Sequence, residues 1–304
     1  MPNQIASIQD EEPQLRLLRA RTQMYAEATS LMLAQLAVAV AIPVIGALTT
    51  LFYPDARVYF AAIALLVLVL DPLWLDRAYR GLLKRAAKTC ERFDANVLSI
   101  NWNHFVVGDD VEAEDVHRAA KRYSKRHSDA DLLGWYPRAV ADVPLHLARL
   151  ICQRTNLRYD SQLRRHYSGF LLLGVGVVTV LIGIVALVKN DTFGQWVLTL
   201  TLLAPLMGWA LREYFRQRDT ADQLEELMKA AKNLWGAALG GELDHDQSTD
   251  KSRELQDAIY ARRVSSSLII PLVYTLSRSR MEDEMNEAAA DFLKQYQEHQ
   301  RLQA

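Results

Sequence analysis

Only two of the 304 residues are cysteines, Cys90 and Cys152, which excludes a disulfide-stapled scaffold. Nine prolines and 13 glycines are too few for a collagen-like or low-complexity chain. Charge of one sign is missing too: 35 Lys and Arg face 36 Asp and Glu, so a polybasic binder of DNA or RNA is excluded. The sequence also lacks the phosphate-loop, dinucleotide, zinc-protease and hydrolase signatures. Its seven histidines are scattered without metal-ligand spacing. No catalytic residue, metal ligand or cofactor is assigned on this reading, and an enzyme is not expected.

Charge is also missing locally. No residue from Ala28 to Phe52, from Gly169 to Val188, or from Phe193 to Leu211 carries a full charge, and Val58 to Leu75 holds only Asp71. About 20 apolar residues suffice to cross a ~30 Å hydrocarbon core as a helix. An Asp near the end of a span costs less than one at its centre. The pattern predicts an all-α integral membrane protein with two transmembrane helical hairpins. The divisions expected are 1–27 (N-terminal helix), 28–76 (hairpin 1), 77–168 (helical segment), 169–211 (hairpin 2) and 212–304 (C-terminal helices).

Orientation follows from the basic flanks. The hairpin tips carry one cation each, Arg57 and Lys189, whereas the opposite ends carry Arg16, Arg19 and Arg21, then Arg77, Arg80, Lys84 and Arg85, then Arg158, Arg164 and Arg165, then Arg212, Arg216 and Arg218. Cytoplasmic flanks collect such an excess, so both termini and the middle segment are expected on the cytoplasmic side of the cell membrane. The first 28 residues lack the apolar core and small-residue cleavage site of a signal peptide, and the first span is expected to act as its own anchor.

Outside the apolar runs the spacing predicts helices from Arg77 to about Phe105, from Val111 to His127, from about Pro144 into the third run, from the fourth run through Leu239, and around Glu254–Arg263 and Leu272–Gln300. Gly240 and Gly241 are expected to end one of them. Leu18-Arg19-Ala20-Arg21-Thr22-Gln23-Met24-Tyr25 before the first hairpin echoes Leu163-Arg164-Arg165-His166-Tyr167 before the second. Duplication would produce this echo, and so would two hairpins under one orientation rule. The balanced net charge is a cancellation: residues 77–168 hold 17 basic and 11 acidic side chains, residues 212–304 hold 13 and 17.

The spans keep few polar groups of the kind that transporters hold at the midplane. A conducting path would need several copies around an axis, with Gln35, Thr49, Thr179 and Thr199 as candidate pore-lining residues. Packing within one copy explains each of the four equally well.

A series of strings then bears on function. Ser99-Ile100-Asn101-Trp102-Asn103, Gly134-Trp135-Tyr136-Pro137, Ala148-Arg149-Leu150-Ile151-Cys152-Gln153-Arg154-Thr155-Asn156, Tyr159-Asp160, Leu163-Arg164 and Leu255-Gln256-Asp257-Ala258-Ile259-Tyr260-Ala261-Arg262-Arg263 occur in this order, followed by Pro271, Tyr274, Arg278 and Glu284-Met285. With the two hairpins they resemble the SMODS-associated four-transmembrane pore-forming effectors of bacteria over nearly the whole chain. The resemblance implies an effector of the inner membrane in CBASS-type anti-phage signalling. It would bind a cyclic di- or oligonucleotide, form a homo-oligomer and open a pore, leading to abortive infection.

Such a ligand offers phosphodiester anions and flat bases, which call for Arg forks and aromatic faces. Trp135, Tyr136, Arg149, Arg154, Tyr159 and Arg164, in the segment leading to the third span, are the candidate ligand-binding residues. A structural reading stands beside this one, in which Trp135, Tyr136 and Pro137 cap a core and Arg149 or Arg154 pairs with Asp142 or Asp160. A membrane-anchored scaffold that binds another protein is the alternative function.

Overall fold

A computed structural model describes residues 3–53, 55, 57–189 and 192–303, though not every side chain within the apolar stretches. Among the described residues there is helix and loop and no strand. After a one-turn helix α1 (Ile5–Ile8), helix α2 (Glu12–Phe52) runs 41 residues, with Pro13 in its first turn, where a missing N–H costs nothing. Helix α3 (Arg57–Leu70) continues through a widened turn, Asp71–Leu75, into α4 (Asp76–Val97). Pro72 lies in that turn and cannot donate the usual helical bond, a common reason for such a local expansion. Short α5 (His104–Val107) and α6 (Ala113–Ser124) follow. Two very long helices, α7 (Leu145–Lys189) and α8 (Phe193–Leu239), come next, then α9 (His245–Ser265) and α10 (Pro271–Gln303).

Helices α2, α7 and α8 pass through the expected boundaries at 27/28, 168/169 and 211/212 without a break. Each apolar run is thus the distal part of a helix whose near end belongs to a packed helical body. In α7, the stretch Leu145–Val185 contains a segment long and apolar enough to cross a membrane, almost none of it buried in the protein. Among the described residues no other helix passes that test, although the shorter Val58–Val67 of α3 is apolar too. Val58, Leu65, Trp74, Leu173, Val180 and Leu187 are all exposed. Leaving so many large apolar side chains in water forgoes roughly 1.5–3 kcal/mol each, which an apolar surrounding restores.

The body packs α2 against α4 and α6, and α7 along α8, with α9 and α10 laid across them. Phe93, Leu18, Leu98, Tyr136, Leu150 and Ile151 are fully buried at its centre. Two helix ends differ from expectation. Helix α4 stops at Val97 rather than near Phe105, because Ser99 takes a positive φ of 52° and the Ile100 and Ser99 amides bond back to Ala95 and Asn96. That closure is the Schellman motif, with serine in the place glycine usually takes. Helix α9 starts at His245 rather than near Glu254, since Asp244 and Gln247 form a reciprocal capping box. Helix α8 does end at Gly240–Gly241, where Gly241 has φ 77°.

Polar groups in the apolar stretches find partners nearby. Gln35 of α2 donates to Asp71 at 2.8 Å, and Asp71 opens the widened turn that joins α3 to α4. Thr49 and Thr179 donate to the carbonyls of Ile45 and Val175 in their own helices. Gln35 and Thr49 lie about 21 Å apart along α2 at 1.5 Å per residue. The side chain of Thr199 lies outside the described residues.

Candidate functional site

Where α2, α7, α9 and α10 converge, the body encloses a cavity of about 660 Å³. Arg21, Thr22 and Tyr25 of α2 line it, as do Tyr159, Asp160 and Arg164 of α7. Arg262 and Arg263 enter from the end of α9, Tyr274, Arg278 and Glu282 from α10, and Trp135 from the loop before α7. The loop is held in place by the N-terminus. Gln9 bonds both the amide and the carbonyl of Tyr136, and Asp10 accepts from the Gly134 amide at 2.8 Å. Gly134 adopts φ 63°, a conformation that disfavours any side chain.

The five arginines are held in different ways. Arg164 forms an ion pair with Asp160 at 3.0 Å, though its buried Nε makes no hydrogen bond, and it donates to Gln217 at 2.6 Å and to the Ser267 carbonyl at 3.0 Å. Arg278 is gripped by Glu282 at 2.6 Å and Asp131 at 2.8 Å. Arg263 meets the fully buried Asp94 at 2.5 Å; burial opposes its charge, but the carboxylate outweighs it and the guanidinium pKa rises. Arg262 donates to the Gln223 side-chain oxygen. Arg21 lies over the Trp135 ring at 4.4 Å and near the Tyr25 ring at 5.4 Å. Tyr159 and Tyr274 rings are 6.4 Å apart.

Of the six residues singled out from the sequence, Trp135, Tyr159 and Arg164 line this cavity and the other three do not. Tyr136 is fully buried, stacked on Phe93, its hydroxyl donating to Asp94 at 2.7 Å and accepting from Asn156 at 3.0 Å. Arg149 closes the end of α4: it donates to the Leu98 and Ser99 carbonyls at 2.7 and 2.6 Å and to Thr249 at 2.7 Å. The Leu98 carbonyl, at the C-cap, is one that a helix end leaves unbonded. Arg154 lies over Phe292 and borders a smaller hollow of about 350 Å³ with Arg158. Asp160, foreseen as a partner of Arg149 or Arg154, pairs with Arg164 instead.

Arg21, Tyr25, Arg262, Arg263, Tyr274 and Arg278 were not foreseen as lining residues. All six stood in the sequence strings quoted above, Arg21 and Tyr25 as part of the echo and the other four as part of the resemblance.

A polar knot ties the cavity to the long helices. The loop after α9 places Ser267 between α7 and α8, where its hydroxyl donates to Glu213 at 2.9 Å and accepts from Gln217 at 2.9 Å. Its carbonyl takes Arg164, and the next amide, Leu268, donates to the Tyr79 hydroxyl of α4 at 3.3 Å. Glu213, Gln217 and Arg164 are all buried. Ser266, Leu268 and Ile269 of the same loop line the cavity.

Chemically the site offers cations, aromatic faces and few nucleophiles. Cys90 borders it, but burial pushes its thiol pKa up, which disfavours the reactive thiolate. Among the described residues no group of three or more His, Cys, Asp or Glu is placed to hold a metal ion.

Comparison with known proteins accords with these features. The chain is 23% identical over 291 residues, 91% of its length and 94% of the relative's, to a protein of Bacillus cereus (strain VD146) named "Probable CBASS effector molecule". No solved structure matches it. The family model described as the SMODS-associating 4TM effector domain matches residues 3–292, and the chain belongs to that family.

Proposed function

We propose that this chain is a membrane effector of CBASS-type anti-phage defence, in which a cyclic di- or oligonucleotide fills the arginine-rich cavity and the helical hairpins form or open a pore. The observation that carries this reading is that one continuous helix, α7, bears both Arg164 of the cavity wall and the apolar stretch fit to cross a membrane. Family membership supports the defence role. The four apolar runs and their basic flanks support four crossings of the inner membrane with both termini inside. The exposed apolar surface supports a homo-oligomeric pore. Ligand gripped between α2 and α7 would act through Arg164 and Ser267 on α8 and α4 together.

The test is dye release from liposomes carrying the full chain, challenged with a panel of cyclic di-, tri- and tetranucleotides, beside thermal shifts in detergent. At a hundred times its dissociation constant a ligand adds about 2.7 kcal/mol of stability. The expected result is one nucleotide that both raises the melting temperature and releases dye. Silence of the whole panel in both assays overturns the proposal. Dye retention together with stoichiometric capture of a protein partner favours the scaffold reading, for which the fully exposed Phe105 on the capped α5 turn offers a contact.

A further inference from the structure

The five cavity arginines differ in one respect that constrains the ligand. Arg164, Arg278 and Arg263 each have a carboxylate partner. Among the described residues, no carboxylate lies within 4 Å of Arg21 or Arg262. The Nε of Arg21 is buried without a hydrogen-bond partner, as are the Thr22 hydroxyl beside it and the indole N–H of Trp135 beneath it. Arg262 has only a neutral amide oxygen, that of Gln223.

Arg21, with its Nε buried and unbonded, and Arg262, partly exposed and bonded only to an amide, are the two cavity cations left to meet an anion, and unbonded buried donors carry a desolvation cost until they are met. The carboxylates present do not supply that need. Asp160 and Glu282 are engaged by Arg164 and Arg278, and Asp131 is 71% exposed, where solvent screens it.

We propose, resting on the cyclic-nucleotide reading above, that the ligand carries two phosphodiester charges and is a cyclic dinucleotide, with Arg21 and Arg262 as its two counter-ions. The guanidinium of Arg21 keeps its edge for a phosphate while its face rests on Trp135. The Tyr159 and Tyr274 rings, 6.4 Å apart, supply an aromatic face for a base. A volume of about 660 Å³ suits a single compact ligand. A third phosphodiester would have to face Arg164, Arg263 or Arg278, all of them already neutralised.

The experiment measures affinities of the full chain in detergent for cyclic dinucleotides and cyclic trinucleotides, across a salt series, for the wild type, Arg21→Gln and Arg262→Gln. The best dinucleotide is expected to bind at least tenfold tighter than any trinucleotide. Each substitution is expected to weaken it about tenfold or more, the loss of one charge-assisted contact, and to lower the slope of log affinity against log salt by about one. Arg21→Lys restores part of the loss.

Melting of the ligand-free variants checks their folding, and Arg262→Gln, which breaks no ring stack, guards against a folding defect in Arg21→Gln. A trinucleotide that binds tighter than every dinucleotide overturns the two-charge assignment and leaves the effector reading standing. Unchanged affinity in both variants also overturns it. Absence of binding by any cyclic nucleotide overturns both.

Discussion

Replacing Asp94 by alanine tests whether the floor of the cavity depends on one buried charge pair. The Asp94 carboxylate has no exposed surface and accepts from Arg263 at 2.5 Å, the Tyr136 hydroxyl at 2.7 Å and the Gln256 amide at 2.9 Å. Its loss strands the Arg263 guanidinium beside the cavity. An uncompensated buried charge costs about 3–5 kcal/mol, and each of the other two hydrogen bonds adds about 1 kcal/mol. The sum, roughly 5–7 kcal/mol, is comparable to the whole stability of many domains.

At about 2–4 °C per kcal/mol for chains approaching this length, Asp94→Ala is expected to melt at least 10 °C lower in detergent. Asp94→Leu combined with Arg263→Met removes both charges at once and is expected to recover most of that loss, because the penalty comes from the partner left alone. The reasoning fails if the single variant melts within about 3 °C of wild type, or if the double variant is as unstable as the two singles added together.

Two further outcomes follow from neighbouring groups. Burial, with Asp94 beside it, raises the Glu91 carboxyl from 4.5 to about 6. The folded state therefore holds a proton that the unfolded chain releases, and stability falls as pH rises from about 4.5 to about 6, by an amount on the order of 2 kcal/mol. Glu91→Gln is expected to flatten that limb of a melting-temperature profile against pH, and parallel profiles would refute the assignment. Ser267→Ala removes the hydroxyl that joins Glu213 to Gln217. It is expected to cost about 1 kcal/mol and to leave ligand-induced thermal shifts intact while reducing dye release; wild-type release from this variant would show that the loop transmits nothing.

Periodicity and missing charge made the helices legible, since long amphipathic or apolar stretches with glycine or proline at their ends admit few alternatives. What escaped was local chemistry at two ends. Ser99 takes a conformation that sequence rules reserve for glycine, and the acidic run before α9 looks like a loop until Asp244 and Gln247 are recognised as a capping box.

The site was only half legible for a geometric reason. Arg149, Arg154, Tyr159 and Arg164 recur every five residues, and at about 100° per residue each step turns roughly 140° about the helix axis. Four such side chains cannot face one ligand. Arg149 also lies about 22 Å from Arg164 along α7, far enough to serve another helix end. The residues that complete the cavity come from α2, α9 and α10, and their meeting is a tertiary fact that no local pattern carries.

The echo between Leu18–Tyr25 and Leu163–Tyr167 gains a spatial meaning irrespective of its origin. Arg21 and Arg164, one from each string, line the same cavity, and each stands on a helix that continues into an apolar run. On the proposed reading, a ligand spanning those helices acts on both hairpins at once. It drives a change only if it binds one spacing of the helices better than the other. Moving a population from 1:99 to 99:1 takes a difference of about 5.5 kcal/mol, and charge-assisted hydrogen bonds contribute about 1.5–3 kcal/mol each. Two to four such bonds, made in one arrangement of α2 and α7 and absent from the other, are enough, and Arg21 and Arg262 hold donors free to make them.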